Sequence, residues 1–163
     1  MDIEDLRKDS SWVPALSILE EFIPRFDPSH FAGIKKIVLL DSDYRKEKKE
    51  PAAARYVQIR GTNFANIEIF LGRYSKLPEE AKKSRMFLTW HLLESLAHEL
   101  YHHRIRGQRK IRQPNEKKEQ RGADKWAEKT IAPLFLAVYP SDPYQKEWQL
   151  IADKVKELRE AKI

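Results

Sequence analysis

The stretch Arg55-Tyr56-Val57-Gln58-Ile59-Arg60, Gly61-Thr62-Asn63, Phe64-Ala65, Asn66-Ile67-Glu68-Ile69-Phe70-Leu71 decides the fold class. Both flanks alternate in polarity, the signature of strands with one face against a core. In the first flank Val57 and Ile59 share one face, with Tyr56, Gln58 and Arg60 on the other. In the second, Ile67, Ile69 and Leu71 point inward. Gly61-Thr62-Asn63 between them has turn chemistry, so the two flanks read as a β-hairpin. Upstream, the β-branched run Gly33 to Asp41 predicts a third strand that ends in the turn-forming Asp41-Ser42-Asp43, and the polar segment Arg45 to Glu50 predicts a loop. Before that strand, Ser10 or Ser11 caps a helix with Pro14 in its first turn. Ala15, Leu16, Leu19, Phe22 and Ile23 give this helix its apolar spacing, and Pro24 ends it.

Downstream of the hairpin the pattern is helical. Pro78-Glu79-Glu80 or Ser84 opens a long helix to about Arg106, stopped by Gly107, with Met86, Trp90, Leu93, Ala97 and Leu100 as its apolar stripe. Pro114 opens another helix that reaches about Pro133 or bends there. Ser141-Asp142-Pro143 caps a last helix to about Ala161. Trp12, Trp90, Trp126 and Trp148 fall on apolar faces of four helices and read as core. The order is an N-terminal helix, a small three-stranded sheet, then three helices, which is α+β.

The 163 residues suit one domain spanning 1–163. No apolar run approaches a membrane span, and the acidic N-terminus lacks an apolar leader, so a soluble cytoplasmic protein is expected, with no membrane partner. Cysteine is absent. Disulfides, thiolate metal sites and Cys nucleophiles are thereby excluded, and any transition-metal site must use His and carboxylate. Between Arg104 and Arg121 stand eight Lys/Arg against Glu116 and Glu119, an excess equal to the whole formal charge of +6. Such a stripe is a solvated loop with helix ends, or a surface for an acidic partner or nucleic acid.

The chemistry concentrates in His98-Glu99-Leu100-Tyr101-His102, inside the long predicted helix. Imidazoles at i and i+4 lie on one helical face, about 6 Å apart along the axis, and both can reach one ion. Glu99 sits beside that ion, where a carboxylate can take a proton from metal-bound water. Zinc suits the task because it lowers the pKa of bound water and polarises a scissile carbonyl. His103 lies about 100° round the helix from His102, so it faces solvent or the basic loop. His91 is two turns before His98 and reads as a hydrogen-bonded structural residue. Glu94, one turn before His98, either orients that imidazole or faces solvent. His30 carries no signal.

LLESLAHELYHH, from Leu92 to His103, resembles the active-site helix of the zincin metallopeptidases. The segment Ala123 to Pro133 resembles the following helix of the ImmA/IrrE-like gluzincins, with Ala123, Asp124, Ala127 and Pro133 on the matching positions. The first position of that pattern falls on Gln120, with Glu119 one residue earlier. The resemblance covers roughly Phe64 to Pro133. It implies a zincin-like fold and a Zn2+-dependent peptidase acting on a peptide or protein substrate. It also implies that the strand before the active-site helix, here Asn66 to Leu71, is a sheet edge to which substrate adds as a strand. An ordinary edge strand guarded by Glu68 is the plainer reading of that segment.

Glu99 is then the general base, with His98 and His102 as metal ligands. For the third ligand, Gln120 brings no charge. Asp124 lies one turn on from it, beside the small Ala123 and Ala127. Glu119 is the alternative, in which case Asp124 accepts a hydrogen bond from an imidazole instead. Glu128 stands on a neighbouring face, in reach of such a supporting role. The competing readings are a catalytically inactive zincin scaffold and a protein- or nucleic-acid-binding module that uses the stretch 104–121.

Overall fold

The computed structural model describes residues 1–41, 53–108, 116–140, 146, 147, 149–151 and 153. In chain order it contains β1 (Asp2–Asp5), α1 (Ala15–Phe22), β2 (Ile34–Leu40), β3 (Ala54–Gln58), β4 (Ala65–Phe70), α2 (Glu79–Lys83), α3 (Arg85–Gln108) and α4 (Glu116–Leu136). The architecture is α+β, as the alternating and helical patterns predict. The sheet has four strands rather than three, in the order β1-β2-β4-β3. The chain therefore opens on a strand, not on the N-terminal helix. β1 escapes a pattern reading because Asp-Ile-Glu-Asp carries a single apolar residue. It forms by pairing in parallel with β2, opposite Lys36 to Leu39. Its acidic residues guard that edge of the sheet against further pairing.

β2 and β4 are parallel neighbours, and β3 closes the other side antiparallel to β4. The predicted hairpin is β3–β4, but its outer strand is Ala54–Gln58. Asn66 to Leu71 lies inside the sheet, with a neighbour on each side, so it is not the edge. The register also decides which face of the first flank meets the core. Tyr56 is opposite Ile67, and cross-strand partners share a face. Tyr56 thus takes the core side, and Val57 pairs with Asn66 on the other.

The core lies between one sheet face and the helices. Ile37, Leu39, Ile67 and Ile69 meet Ile18, Leu19 and Phe22 of α1 and Leu92, Leu93, Leu96, Ala97 and Leu100 of α3, all fully or almost fully buried. Each of the Ile, Leu and Phe side chains among them contributes roughly 1.5–3 kcal/mol by leaving water, which makes α3 a firm platform. Both predicted starts of the long helix are used. Pro78 precedes the short α2, the backbone leaves helical geometry at Ser84, and the Ser84 hydroxyl then accepts the Phe87 N–H at 3.1 Å to cap α3. Gly107 does not stop α3, which runs on to Gln108. Pro133 lies inside α4 rather than at its end. Ser141-Asp142-Pro143 and Trp148 lie outside the described residues. Trp90 and Trp126 pack against the core, whereas Trp12 lies outside any helix and is 42% exposed.

Candidate functional site

α3 and α4 run antiparallel, and two imidazole–carboxylate bonds join them. His98 Nδ1 donates to Asp124 Oδ1 at 3.0 Å, and His102 Nδ1 donates to Glu119 Oε1 at 3.0 Å. Ala123 and Ala127 are fully buried, and their small side chains let α4 approach this closely. A carboxylate can only accept, so each bond holds its imidazole with the proton on Nδ1. The Nε2 atoms of the neutral rings are then both acceptors. They face each other at 3.0 Å. Two lone pairs at that distance repel unless a cation, a proton or a metal ion, lies between them.

The donor set fits a metal. At a tetrahedral angle, two imidazole nitrogens about 2.0–2.1 Å from one zinc stand roughly 3.3 Å apart, a few tenths of an ångström from the separation seen. Carboxylates behind metal-binding imidazoles are the usual means of fixing their orientation. Asp124 and Glu119 each bond an Nδ1, the ring nitrogen opposite the converging Nε2 atoms. Among the described residues, no group of three or more His, Asp or Glu side chains gathers around one point. Gln120, the position matching the gluzincin pattern, is exposed. Glu128 is exposed as well.

Glu99 is buried beside the pair, and its Oε2 accepts the backbone N–H of Tyr56 at 2.7 Å. The direction of that N–H follows from the β3–β4 ladder. Ile59 N–H bonds Phe64 O, and Phe70 N–H bonds Ala53 O. In an antiparallel pair alternate residues point toward the partner, so Ala54, Tyr56 and Gln58 direct their backbone groups away from β4. Glu99 therefore reaches the outer edge of the sheet, and β3 lies over the histidine helix.

His103 was expected at solvent or at the basic loop. It is instead buried, its Nε2–H donating to Ala32 O at 2.7 Å and its Nδ1 3.4 Å from the Tyr56 hydroxyl. Gly33 makes this possible. Its φ of +89° suits glycine, and a side chain there would come within 3.3 Å of the His103 ring. Tyr56 is thus tied to α3 twice, through its amide and its phenol. No local pattern marks it, because only the strand register brings it to α3. Glu94 bonds His91 at 3.3 Å rather than His98. His30 stacks edge-on against Trp126 at 5.1 Å, with its Nδ1 buried.

Of the basic stretch, Arg109, Lys110 and Arg112 lie outside the described residues. No described helix is long and apolar enough to cross a membrane. No known protein family, curated protein or solved structure matches the chain.

Proposed function

We propose that this chain is a zinc-dependent peptidase that hydrolyses peptide bonds with water. One observation carries the reading: the two Nε2 atoms converge at 3.0 Å while both Nδ1 atoms are held by carboxylates. The spacing of the histidines, the lack of cysteine and the resemblance to zincins select zinc among the cations that would fill that point. His98 and His102 would hold the ion through Nε2. Asp124 and Glu119 would hold the rings in orientation through Nδ1, and a third ligand is assigned to neither of them in this arrangement. When bound, zinc supplies a lowered pKa for water and a polarised carbonyl.

Glu99 is the base. The Tyr56 N–H occupies its Oε2, which leaves Oε1 to take a proton from the attacking water and pass it to the departing amine nitrogen. Water adds across the bond, and the products are a carboxylate and an amine. An extended substrate would lie along β3, whose residues 54, 56 and 58 turn their backbone groups away from β4, the role first expected of Asn66 to Leu71.

Glu99→Gln tests the mechanism. The variant should bind zinc as the wild type does and lose peptidase activity by about 10²–10⁴-fold, the contribution of general acid–base catalysis. His98→Ala should lose the metal itself. A wild-type protein that takes up no zinc, or a Glu99→Gln variant with normal turnover, overturns the reading.

A further inference from the structure

Between the two imidazole–carboxylate bonds, α3 and α4 touch through Tyr101 and Gly122. Gly122 follows Glu119 by three residues and precedes Asp124 by two, so it stands between the two carboxylates. Tyr101 stands between the two histidines. A Cβ built on Gly122 would meet Tyr101 Oη at 2.4 Å, Cζ at 3.1 Å and Cε1 at 3.4 Å. The phenol therefore lies on bare α4 backbone, in space that any other residue at 122 would fill. The ring has neighbours on its other sides, with His102 edge-on at 6.2 Å and Trp126 tilted at 6.1 Å. Trp126 is itself backed by His30 at 5.1 Å. A methyl group at 122 would overlap the end of the Tyr101 side chain, so either the ring turns aside, toward His102 or Trp126, or the helices part. Glycine inside a helix is also about 1 kcal/mol less favourable than alanine. A packing requirement at this point is the reason to have it.

We propose that Gly122 is a positioning residue for the histidine pair. It sets the α3–α4 separation at which Glu119 and Asp124 both reach an imidazole Nδ1. Hydrogen bonds end within a few tenths of an ångström of 3.0 Å, so a small parting of the helices breaks both. The consequence for zinc rests on the peptidase reading, whereas the effect on the rings does not.

The test is Gly122→Ala, read by the ring ¹⁵N shifts of His98 and His102 in metal-free protein and by Co²⁺ affinity. On helix propensity alone this substitution stabilises the protein and changes neither reading. We expect both rings to lose their uniform Nδ1–H tautomer and Co²⁺ to bind about 10–100-fold more weakly, the usual cost of losing such support. Tyr101→Phe, which removes the atom in closest contact, should restore part of both in the double variant. A far-ultraviolet spectrum and melting temperature confirm that each variant is folded. Wild-type tautomers in folded Gly122→Ala overturn the proposal whatever the metal does. A tautomer change in Gly122→Ala, where the wild type itself binds no metal, supports the proposal and overturns the zinc reading alone. If Gly122→Ala does not fold, recovery of fold and tautomers in the Tyr101→Phe double variant supports the proposal, and no recovery overturns it.

Discussion

The two imidazole–carboxylate pairs have the same length and opposite surroundings. His102 and Glu119 have side chains 7% exposed each, while His98 and Asp124 are 20% and 68% exposed. An exposed pair is screened by water and salt and contributes at most about 1 kcal/mol. A buried donor that loses its acceptor costs about 1–3 kcal/mol, because no water replaces the missing partner. The difference divides the labour along α4. Glu119 in its first turn anchors one ring inside the protein, and Asp124, five residues on, steers the other ring at the surface.

The buried end should give the larger response. Glu119→Ala leaves His102 Nδ1–H without its acceptor, and the protein should lose about 1–3 kcal/mol of stability in denaturant melts. Zinc affinity should fall toward 100-fold, the upper end for losing such a partner. Because the pair is buried, both losses should hold at low and high salt alike. A loss that fades with salt would show the pair to be solvent-screened and would erase the contrast.

Asp124→Ala sharpens the comparison from the other end. Stability should change by less than about 1 kcal/mol, and zinc affinity should fall about 10-fold, the lower end of the range. Titration with zinc in low and high salt should show the difference from wild type shrinking. If Asp124→Ala instead loses the metal as completely as His98→Ala, Asp124 is a ligand, and its place on Nδ1 belongs to the metal-free protein alone.

The smallest effect concerns a carboxylate that no imidazole touches. Asp41 closes the loop after β1. Desolvation by that loop pushes its carboxyl up, but the Ser10 hydroxyl and the N–H groups of Lys8, Ser10 and Asp9 outweigh this and hold it well below the usual carboxylate range. A depressed folded value means the stabilisation is complete above the unfolded pKa of about 3.9 and is lost as pH falls below it. Wild type should therefore exceed Asp41→Asn in melting temperature at neutral pH, with the gap closing in acid. A gap that stays constant down to pH 2 would show that the Asp41 charge contributes nothing. The response belongs to the β1 end of the sheet, so the zinc affinity of Asp41→Asn should equal that of wild type.

What was legible in the sequence is what short-range geometry controls. Four residues on a helix return to the same face, so His98 and His102 share an approach whatever surrounds them. Alternation from Arg55 to Leu71 marks two strands, and the turn between them marks a hairpin. The absence of cysteine limits any metal site to imidazole and carboxylate. The partner of each group was decided elsewhere. β1 is a strand only because β2 lies beside it, and β3 became the edge because β4 found β2 as its second neighbour. The face that Tyr56 presents to α3 follows from that register. On α4, Glu119, Gln120 and Asp124 are close in sequence, and helical spacing leaves open which of them meets an imidazole. Gly122, Ala123 and Ala127 settle the rotation of the helix by being small where α3 comes near. That rotation puts Glu119 inside, leaves Gln120 in water and places Asp124 over His98. Packing between segments that are distant in the chain chooses among faces that local periodicity leaves equivalent.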